Sequence, residues 1–162
     1  MRKEFAKKSD IKLVGLKIRT NNKNEMNPQT AKIGELFGRF QGQNIANQIS
    51  HRKNPHVTLA VYTEYESDEN GDYTYFIGEE ESSFENVGSD LQTLIIPASN
   101  YQKFTTDSGK CPDVVINAWQ QIWKMSSSDF GGERAYIADF EVYDQRAIDP
   151  ANMSLDIYIG IK

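Results

Sequence analysis

The sequence has very little cysteine, no long apolar run and no block of basic residues. Its only cysteine, Cys111, cannot form an internal disulfide, and a lone thiol fits a reducing compartment. No apolar stretch is long enough to cross a bilayer, and the start of the chain does not read as a signal peptide. These absences predict a cytoplasmic protein without a membrane partner.

Positive charge is also in short supply. The chain has 18 Lys and Arg against 23 Asp and Glu, which gives a net charge of -5. Basic residues do not cluster beyond the first dozen residues, so no surface is expected to track a phosphate backbone, and nucleic acid is not an expected partner. The length of 162 residues is enough for a core without disulfides or metals, so we expect one domain over 1–162.

The familiar motifs of cofactor and metal sites are missing. There is no phosphate loop, no dinucleotide fingerprint and no nucleophile elbow. His51 and His56 lie five apart, but no suitably spaced cysteine or carboxylate completes a zinc site. The acidic turn at Asp68, Asn70 and Asp72 has its glycine too early for a calcium loop. We therefore expect no metal and no cofactor, and the sequence favours a binding protein while leaving enzymatic activity open.

What is present is an alternation of strand and helix patterns. Period-2 patterns predict strands, apolar stripes at helical spacing predict two main helices, and Asn70-Gly71 predicts a hairpin turn. The predicted elements are, in order, a strand at 11–20, a helix starting at Asn27-Pro28 and carrying apolar residues to Ile49, strands at 57–66 and 73–78, strand material at 91–106 broken at Pro97, a helix starting at Cys111-Pro112 and closed by Gly131-Gly132, and strands at 134–143 and 155–162. The order strand, helix, strand, strand occurs twice.

Sliding the chain on itself supports a duplication. An offset of 82 places the apolar positions of the two helices together, and aligns the strands TYFIG and DIYIG. The middle strands, LAVYTEY and IADFEVY, align better at an offset of 78, which places Thr63 against Glu141. We predict an α+β fold of duplicated strand-helix-strand-strand modules, about 11–80 and 91–162, related by a pseudo-twofold axis. An antiparallel sheet would carry two main helices on one face, with a ligand cleft between the modules.

The final hairpin places an acid among aromatic side chains. Strand alternation puts Glu141 and Tyr143 on one face of their strand, and the apolar row of the partner strand leaves Tyr158 on its second face, so we expect all three on one side. Glu141 could be an ordinary solvated carboxylate. It could also be the counter-ion of an organic cation, held by charge pairing and by contact with ring faces.

Other aromatic residues are open to two interpretations. Phe37 and Trp119 lie at helical spacing with apolar neighbours, so core packing is their default role, and they are also candidate cleft residues. Tyr62 and Tyr65 should lie on opposite faces of one strand. A tyrosine hydroxyl needs a partner, and Tyr62 is a candidate for the cleft wall.

A series of segments resembles a known family. The segments are IGELFGRF, LAVYTEYESDENGDYTYFIG, IIPASNYQKFTTDSG, VVINAWQQIW, RAYIADFEVYD and LDIYIGIK. Together they cover nearly the whole chain and resemble the GyrI-like small-molecule-binding family, also described as the bacterial transcription activator effector-binding domain. No helix-turn-helix segment is present, so the chain resembles the stand-alone forms of that family.

The resemblance implies a function. In multidrug-sensing members a buried Glu on a late strand, surrounded by aromatic side chains, receives lipophilic cations. That role is carried over to Glu141 in DFEVY, with Tyr158 in DIYIG as the nearest matching aromatic. The leading hypothesis is therefore binding of small amphipathic, mainly cationic molecules. Two alternatives remain: hydrolysis of reactive electrophilic toxins in the same cleft, and a gyrase-inhibitor-like protein interaction through the acidic segment Glu79 to Asp90.

Overall fold

The computed structural model describes all of residues 1–162. The chain forms eight strands and four helices, grouped as two strands, two helices, four strands, two helices and two strands. Two short 3₁₀ turns lie at Ile45–Gln48 and Gln145–Ala147. The elements are β1 (Arg2–Lys8), β2 (Ile11–Thr20), α1 (Asn22–Glu25), α2 (Ile33–Gly42), β3 (Thr58–Thr63), β4 (Tyr73–Glu80), β5 (Gln92–Ile96), β6 (Ser99–Thr105), α3 (Asp113–Ile122), α4 (Ser127–Phe130), β7 (Ala138–Tyr143) and β8 (Asp156–Ile161). None of the helices is long and apolar enough to cross a membrane.

All eight strands form one antiparallel sheet in the order β1-β6-β8-β7-β3-β4-β2-β5. Read from either edge, the order is the same when β6, β8 and β7 are matched with β2, β4 and β3. The fold is therefore α+β and duplicated, as the sequence predicts, and the two halves meet where β3 pairs with β7.

The edge strands are exchanged between the halves. Strand β1 precedes β2 in the chain but pairs with β6, and β5 precedes β6 but pairs with β2. Each half is thus completed by a strand from the other. We propose on this basis that the chain is one domain, with repeats at about 11–80 and 91–162.

Both main helices lie on one face of the sheet. The α2 side chains Leu36 and Phe40 pack on β2 and β4, and the α3 side chains Trp119 and Ile122 pack on β8. The opposite face has its own buried cluster, none of whose members is helical. The side chains of that cluster are Ile11, Leu13, Leu59, Val61, Phe76, Ile96, Tyr101, Ala138, Phe140 and Tyr158. The space between α2 and α3, over β3 and β7, is left for a cavity.

The predicted start of the first helix is wrong by five residues. The Asn27 side chain accepts a hydrogen bond from the backbone N–H of Gln29 inside a turn, and α2 begins only at Ile33. Glu25 acts as a remote cap, because its carboxylate accepts the backbone N–H groups of Lys32 and Ile33 at 3.0 and 3.2 Å. This contact also ties α1 to the end of α2 that borders the cavity.

The second helix is shorter than predicted, since α3 ends at Ile122. The short α4 follows, and the left-handed Gly131 (φ 72°) ends it. The strand expected from Arg134 begins only at Ala138, because Tyr136 adopts a left-handed conformation (φ 51°). These irregular residues place Arg134 beside the cavity rather than in the sheet.

The expected face of Tyr158 is wrong. In the register of β7 and β8, Glu141 pairs with Ile157 and Phe140 pairs with Tyr158. Paired residues share a face, so Tyr158 lies on the opposite side of the sheet from Glu141, stacked on Phe140 at 4.6 Å. The apolar row of β8 therefore faces α3, on the same side as Glu141.

The offset of 78 between the middle strands is also wrong. The pair Ala60–Glu141 shares one face of the sheet, so Thr63 lies on the other face. A twofold axis perpendicular to the sheet cannot exchange the two faces. The similarity of LAVYTEY and IADFEVY is therefore not a structural equivalence, and Thr63 is not the counterpart of Glu141.

Candidate functional site

A cavity of about 610 Å³ lies between α2, α3 and the central strands. Most of its wall is apolar or aromatic, and Met26 and Ile116, both exposed, belong to that wall and place its mouth between α1 and α3. Its other wall residues are Asn22, Glu25, Ala31, Ile33, Gly34, Phe37, Tyr62, Tyr65, Glu69, Tyr73, Tyr75, Cys111, Pro112, Val115, Trp119, Gln120, Trp123, Arg134, Glu141 and Tyr143. This size suits one drug-sized molecule.

Glu141 is the buried acid of the cavity, with 2% of its surface exposed. Its Oε2 accepts hydrogen bonds from the Tyr62 hydroxyl at 2.9 Å and from the Trp119 indole N–H at 2.6 Å. Its Oε1 accepts one from the Tyr143 hydroxyl at 2.6 Å. These three donors come from β3, α3 and β7, so both halves of the molecule hold the carboxylate.

Burial raises the pKa of Glu141 above its ordinary value of 4.5, and the hydrogen bonds from Tyr143, Trp119 and Tyr62 lower it in part. Burial and the charge of Glu141 raise the pKa of Tyr62 and of Tyr143, so both hydroxyls stay protonated as donors. No basic side chain forms an ion pair with Glu141. The cavity thus holds a buried acid whose charge lacks a counter-ion.

Aromatic rings surround this acid. The Tyr62 ring meets Trp119, Tyr73 and Tyr75 edge to face, with ring centres 5.0 to 5.4 Å apart. Phe37 from α2 meets Tyr143 in the same way at 5.2 Å. These edge-to-face contacts pack an aromatic wall around Glu141, interrupted by the hydroxyl and indole groups that bond to its carboxylate.

A second acid, Asp139, lies two residues earlier on the same face of β7 and is fully buried. It accepts hydrogen bonds from the Tyr65 hydroxyl and from Arg134, each at 2.6 Å. Its other oxygen accepts the backbone N–H of Gly160 at 2.8 Å. Unlike Glu141, Asp139 has a counter-ion within the chain.

Tyr65 reaches the cavity through a break in its strand. Strand β3 ends at Thr63, and Glu64 adopts a left-handed conformation (φ 50°). This turn moves Tyr65 from the face that simple alternation assigns to it onto the face of Tyr62. The expectation that Tyr62 and Tyr65 point to opposite faces is therefore wrong.

Five of the six candidate residues from the sequence line the cavity: Glu141, Tyr143, Tyr62, Phe37 and Trp119. Tyr158 does not, because it lies on the other face of the sheet and is 7% exposed. Sequence reasoning missed Arg134, Tyr73 and Tyr75, and it left open whether Tyr62 or Tyr65 faces the cavity. The alternation of Tyr73 and Tyr75 on β4 was a usable signal, whereas nothing local marks Arg134.

The donor set of the cavity does not suit a metal. No group of three or more His, Cys, Asp or Glu side chains is close enough to hold an ion. Cys111 is exposed at the cavity wall next to Pro112 and lies far along the chain from either histidine. The arrangement suits binding of a small organic molecule.

Comparison with known proteins agrees with the fold. The structure and its cavity define a small-molecule effector-binding domain of the GyrI-like class. The chain belongs to the family of integron-associated effector binding proteins, whose model matches residues 4–161. It is 30% identical over 154 residues to YobU of Bacillus subtilis (strain 168), a protein named provisionally as a transcriptional regulator, and the match covers 94% of each chain.

Solved structures show the same architecture. An integron cassette protein of Vibrio cholerae has a TM-score of 0.78 and 27% identity, covering 99% of this chain and 95% of that one. The protein SAV2435, solved bound to tetraphenylphosphonium, has a TM-score of 0.76 and 15% identity, covering 100% of this chain and 94% of that one. At that identity the second likeness shows the fold alone.

Proposed function

We propose that this protein binds small amphipathic organic cations in its cavity, with Glu141 as the counter-ion. The observation that carries the proposal is a buried carboxylate with three hydrogen-bond donors and no basic partner. A buried charge of this kind is unfavourable by several kcal/mol in general, about the scale that a bound cation offsets through charge pairing. Contact with the ring faces adds to that attraction.

The occupied lone pairs narrow the ligand class. A carboxylate has about four acceptor sites, and the protein fills three of those of Glu141. A ligand with several N–H donors would have to displace Tyr62, Trp119 or Tyr143. The site therefore favours cations that carry few or no donors, such as quaternary ammonium, phosphonium or alkylated ring nitrogens. The tetraphenylphosphonium bound to SAV2435, a protein of the same fold, supports this class.

The same hydrogen bonds leave little room for a general base. Both sites on Oε2 and one on Oε1 are taken, so a single lone pair remains for a water molecule. The gyrase-inhibitor-like alternative depends on the acidic segment 79–90, where Glu79 and Glu81 are buried rather than offered on the surface. We further propose that the protein acts in the cytoplasm and does not contact nucleic acid itself.

The charge requirement can be tested with two ions of the same shape. We expect tetraphenylphosphonium to quench tryptophan fluorescence at saturation, since Trp119 and Trp123 line the cavity. Tetraphenylborate has the same four rings and the opposite charge, and we expect it to bind at least about tenfold more weakly. Equal affinities would mean that apolar shape, not charge, governs binding.

Binding should also depend on pH. Only ionised Glu141 attracts a cation, so affinity should be full above its raised pKa and fall by up to about tenfold per pH unit below it. The stability of the fold depends on pH in the opposite direction from the affinity. The folded protein holds this proton more tightly than the unfolded chain, so the Glu141 contribution to unfolding free energy decreases as pH rises from 4.5 through the folded pKa.

Titrations of Glu141→Gln at each pH isolate this group from others that titrate. The difference between wild type and variant should show both trends, measured by calorimetric titration for affinity and by urea unfolding for stability, because the raised pKa values of Glu79 and Glu81 affect both proteins alike. A wild-type affinity that stays constant down to pH 4 contradicts the assignment of Glu141 as the counter-ion.

A further inference from the structure

Arg134 has hydrogen-bonding capacity that the folded chain does not use. The side chain is about nine-tenths buried, and it lines the same cavity as Glu141. Its Nη2 donates to Asp139, which is its only hydrogen bond. The Nε atom is sealed from the cavity, whereas Nη1 keeps some accessible surface and makes no hydrogen bond, since it is 3.9 Å from Glu69.

A guanidinium this deeply buried that leaves Nη1 without a hydrogen bond is rare, so it calls for an explanation. We infer that Arg134 is a second polar anchor of the cavity and takes a neutral hydrogen-bond acceptor of the ligand, such as a carbonyl, ether or sulfonyl oxygen. The inference rests on the proposed function, because it concerns the far end of a ligand whose cation lies at Glu141. It adds a requirement that a lipophilic cation alone does not meet.

The local charges select a neutral acceptor over an anion. Arg134 is already paired with Asp139 at 2.6 Å and lies 3.9 Å from Glu69, so this end of the cavity has more negative than positive charge. A ligand carboxylate would be repelled by both acids. A neutral oxygen needs only a donor, and the Arg134 guanidinium has N–H groups to spare.

The neighbours of the Arg134 guanidinium fix the position of its N–H groups. The Tyr136 ring covers one side of it, 4.3 Å from the central carbon to the ring centre, and Asp139 holds its edge. Asp139 and Glu141 are two residues apart on one face of β7, a separation of about 7 Å along a strand. The ligand should therefore carry its acceptor roughly 7 to 10 Å from its cationic centre.

Two phosphonium ions of nearly equal shape test this anchor. In (4-acetylphenyl)triphenylphosphonium the carbonyl oxygen lies at the required separation from phosphorus. In (4-isopropenylphenyl)triphenylphosphonium a methylene group replaces that oxygen. A hydrogen bond to a charged donor should make the ketone bind about tenfold tighter or more. A third ion with a 4-carboxyphenyl group should bind more weakly than the ketone.

Arg134→Lys checks that the preference comes from the guanidinium. Lysine keeps a positive charge beside Asp139 but has no second nitrogen at the position of Nη1, so the ratio of ketone to alkene affinity should fall to near one. Arg146→Lys is a matched control, because Arg146 also pairs with acids but lies outside the cavity, and it should keep the wild-type ratio. Glu141→Gln should weaken both ligands and keep the ratio.

The possible outcomes separate the two proposals. Equal affinities of ketone and alkene in the wild type, or an unchanged ratio in Arg134→Lys, would overturn the second anchor while leaving the cation site intact. A carboxylate ligand that binds tightest would overturn the neutral-acceptor class. If neither phosphonium ion binds, the proposed function fails and this inference fails with it.

One measurement does not need the variant to fold. The ¹⁵N signal of Arg134 Nη1 in the wild type should shift when the ketone is added and stay in place with the alkene. Identical shifts with both ligands contradict a direct hydrogen bond.

Discussion

Replacing Glu141 with Gln should abolish most of the affinity for a monovalent organic cation while leaving the fold intact. Breaking a desolvated charge pair typically reduces binding by about 2 to 5 kcal/mol. The expected change is therefore a rise in the tetraphenylphosphonium dissociation constant of about thirtyfold or more. Calorimetric titration of wild type and variant under the same salt conditions measures it.

The variant should fold because the network around position 141 tolerates an amide. The amide oxygen can take the place of Oε2 and accept from both Tyr62 and Trp119. The amide nitrogen then takes the place of Oε1 and donates to the Tyr143 oxygen, since a hydroxyl can rotate to accept. Volume is conserved and the amide carries no buried charge, so the unfolding midpoint at a pH above the folded pKa of Glu141 should stay the same or rise.

A matched control is available at Glu81, which directly follows β4. Glu81 is another carboxylate with 2% exposure, but it does not line the cavity. Glu81→Gln removes a buried charge elsewhere and should leave cation affinity within about twofold. If Glu81→Gln weakens binding as much as Glu141→Gln, the effect is one of overall charge and the counter-ion model is wrong.

Much of the fold could be predicted because it depends on short-range patterns. The alternation in β2 and β4, the turn near Asn70 and the break at Pro97 are local signals, and the duplicated order gave the α+β architecture. The apolar stripes of α2 and α3 also located Phe37 and Trp119 correctly relative to the sheet.

The predictions that were wrong depend on strand register and on single backbone turns. Alternation shows which residues of one strand share a face, but it does not show which residues of the neighbouring strand lie on that same face. The sequence therefore places Tyr158 with Glu141, although the register puts them on opposite faces. Similarly, the left-handed conformations of Glu64 and Tyr136 redirect Tyr65 and Arg134 into the cavity. No pattern of residue types marks those two turns.

These redirected residues explain why two acids on one strand have different roles. Asp139 and Glu141 share a face of β7 and are both buried. Arg134, brought back by the turn at Tyr136, neutralises Asp139, and nothing basic reaches Glu141. The fold thus pairs one acid internally and leaves the other without a counter-ion in the chain.

Trp119→Ala should be the most destabilising single change in the cavity wall. The side chain is buried in the α3 core cluster, packs edge to face on Tyr62 at 5.0 Å and donates to Glu141 at 2.6 Å. Truncating a buried tryptophan to alanine typically lowers the unfolding free energy by about 3 to 5 kcal/mol. Urea unfolding of the ligand-free protein measures this loss, and Trp123→Ala, on a half-buried neighbour without a bond to Glu141, should lose clearly less.

Trp119→Phe separates packing from hydrogen bonding. Phenylalanine keeps an aromatic ring in the core but cannot donate to Glu141, so one of the three bonds that hold the carboxylate ionised is lost. The pKa of Glu141 should therefore rise further, and the pH at which cation affinity falls should move upward relative to wild type. Because a packing defect alone weakens binding equally at every pH, an unchanged midpoint would show that the indole N–H does not tune the charge of Glu141.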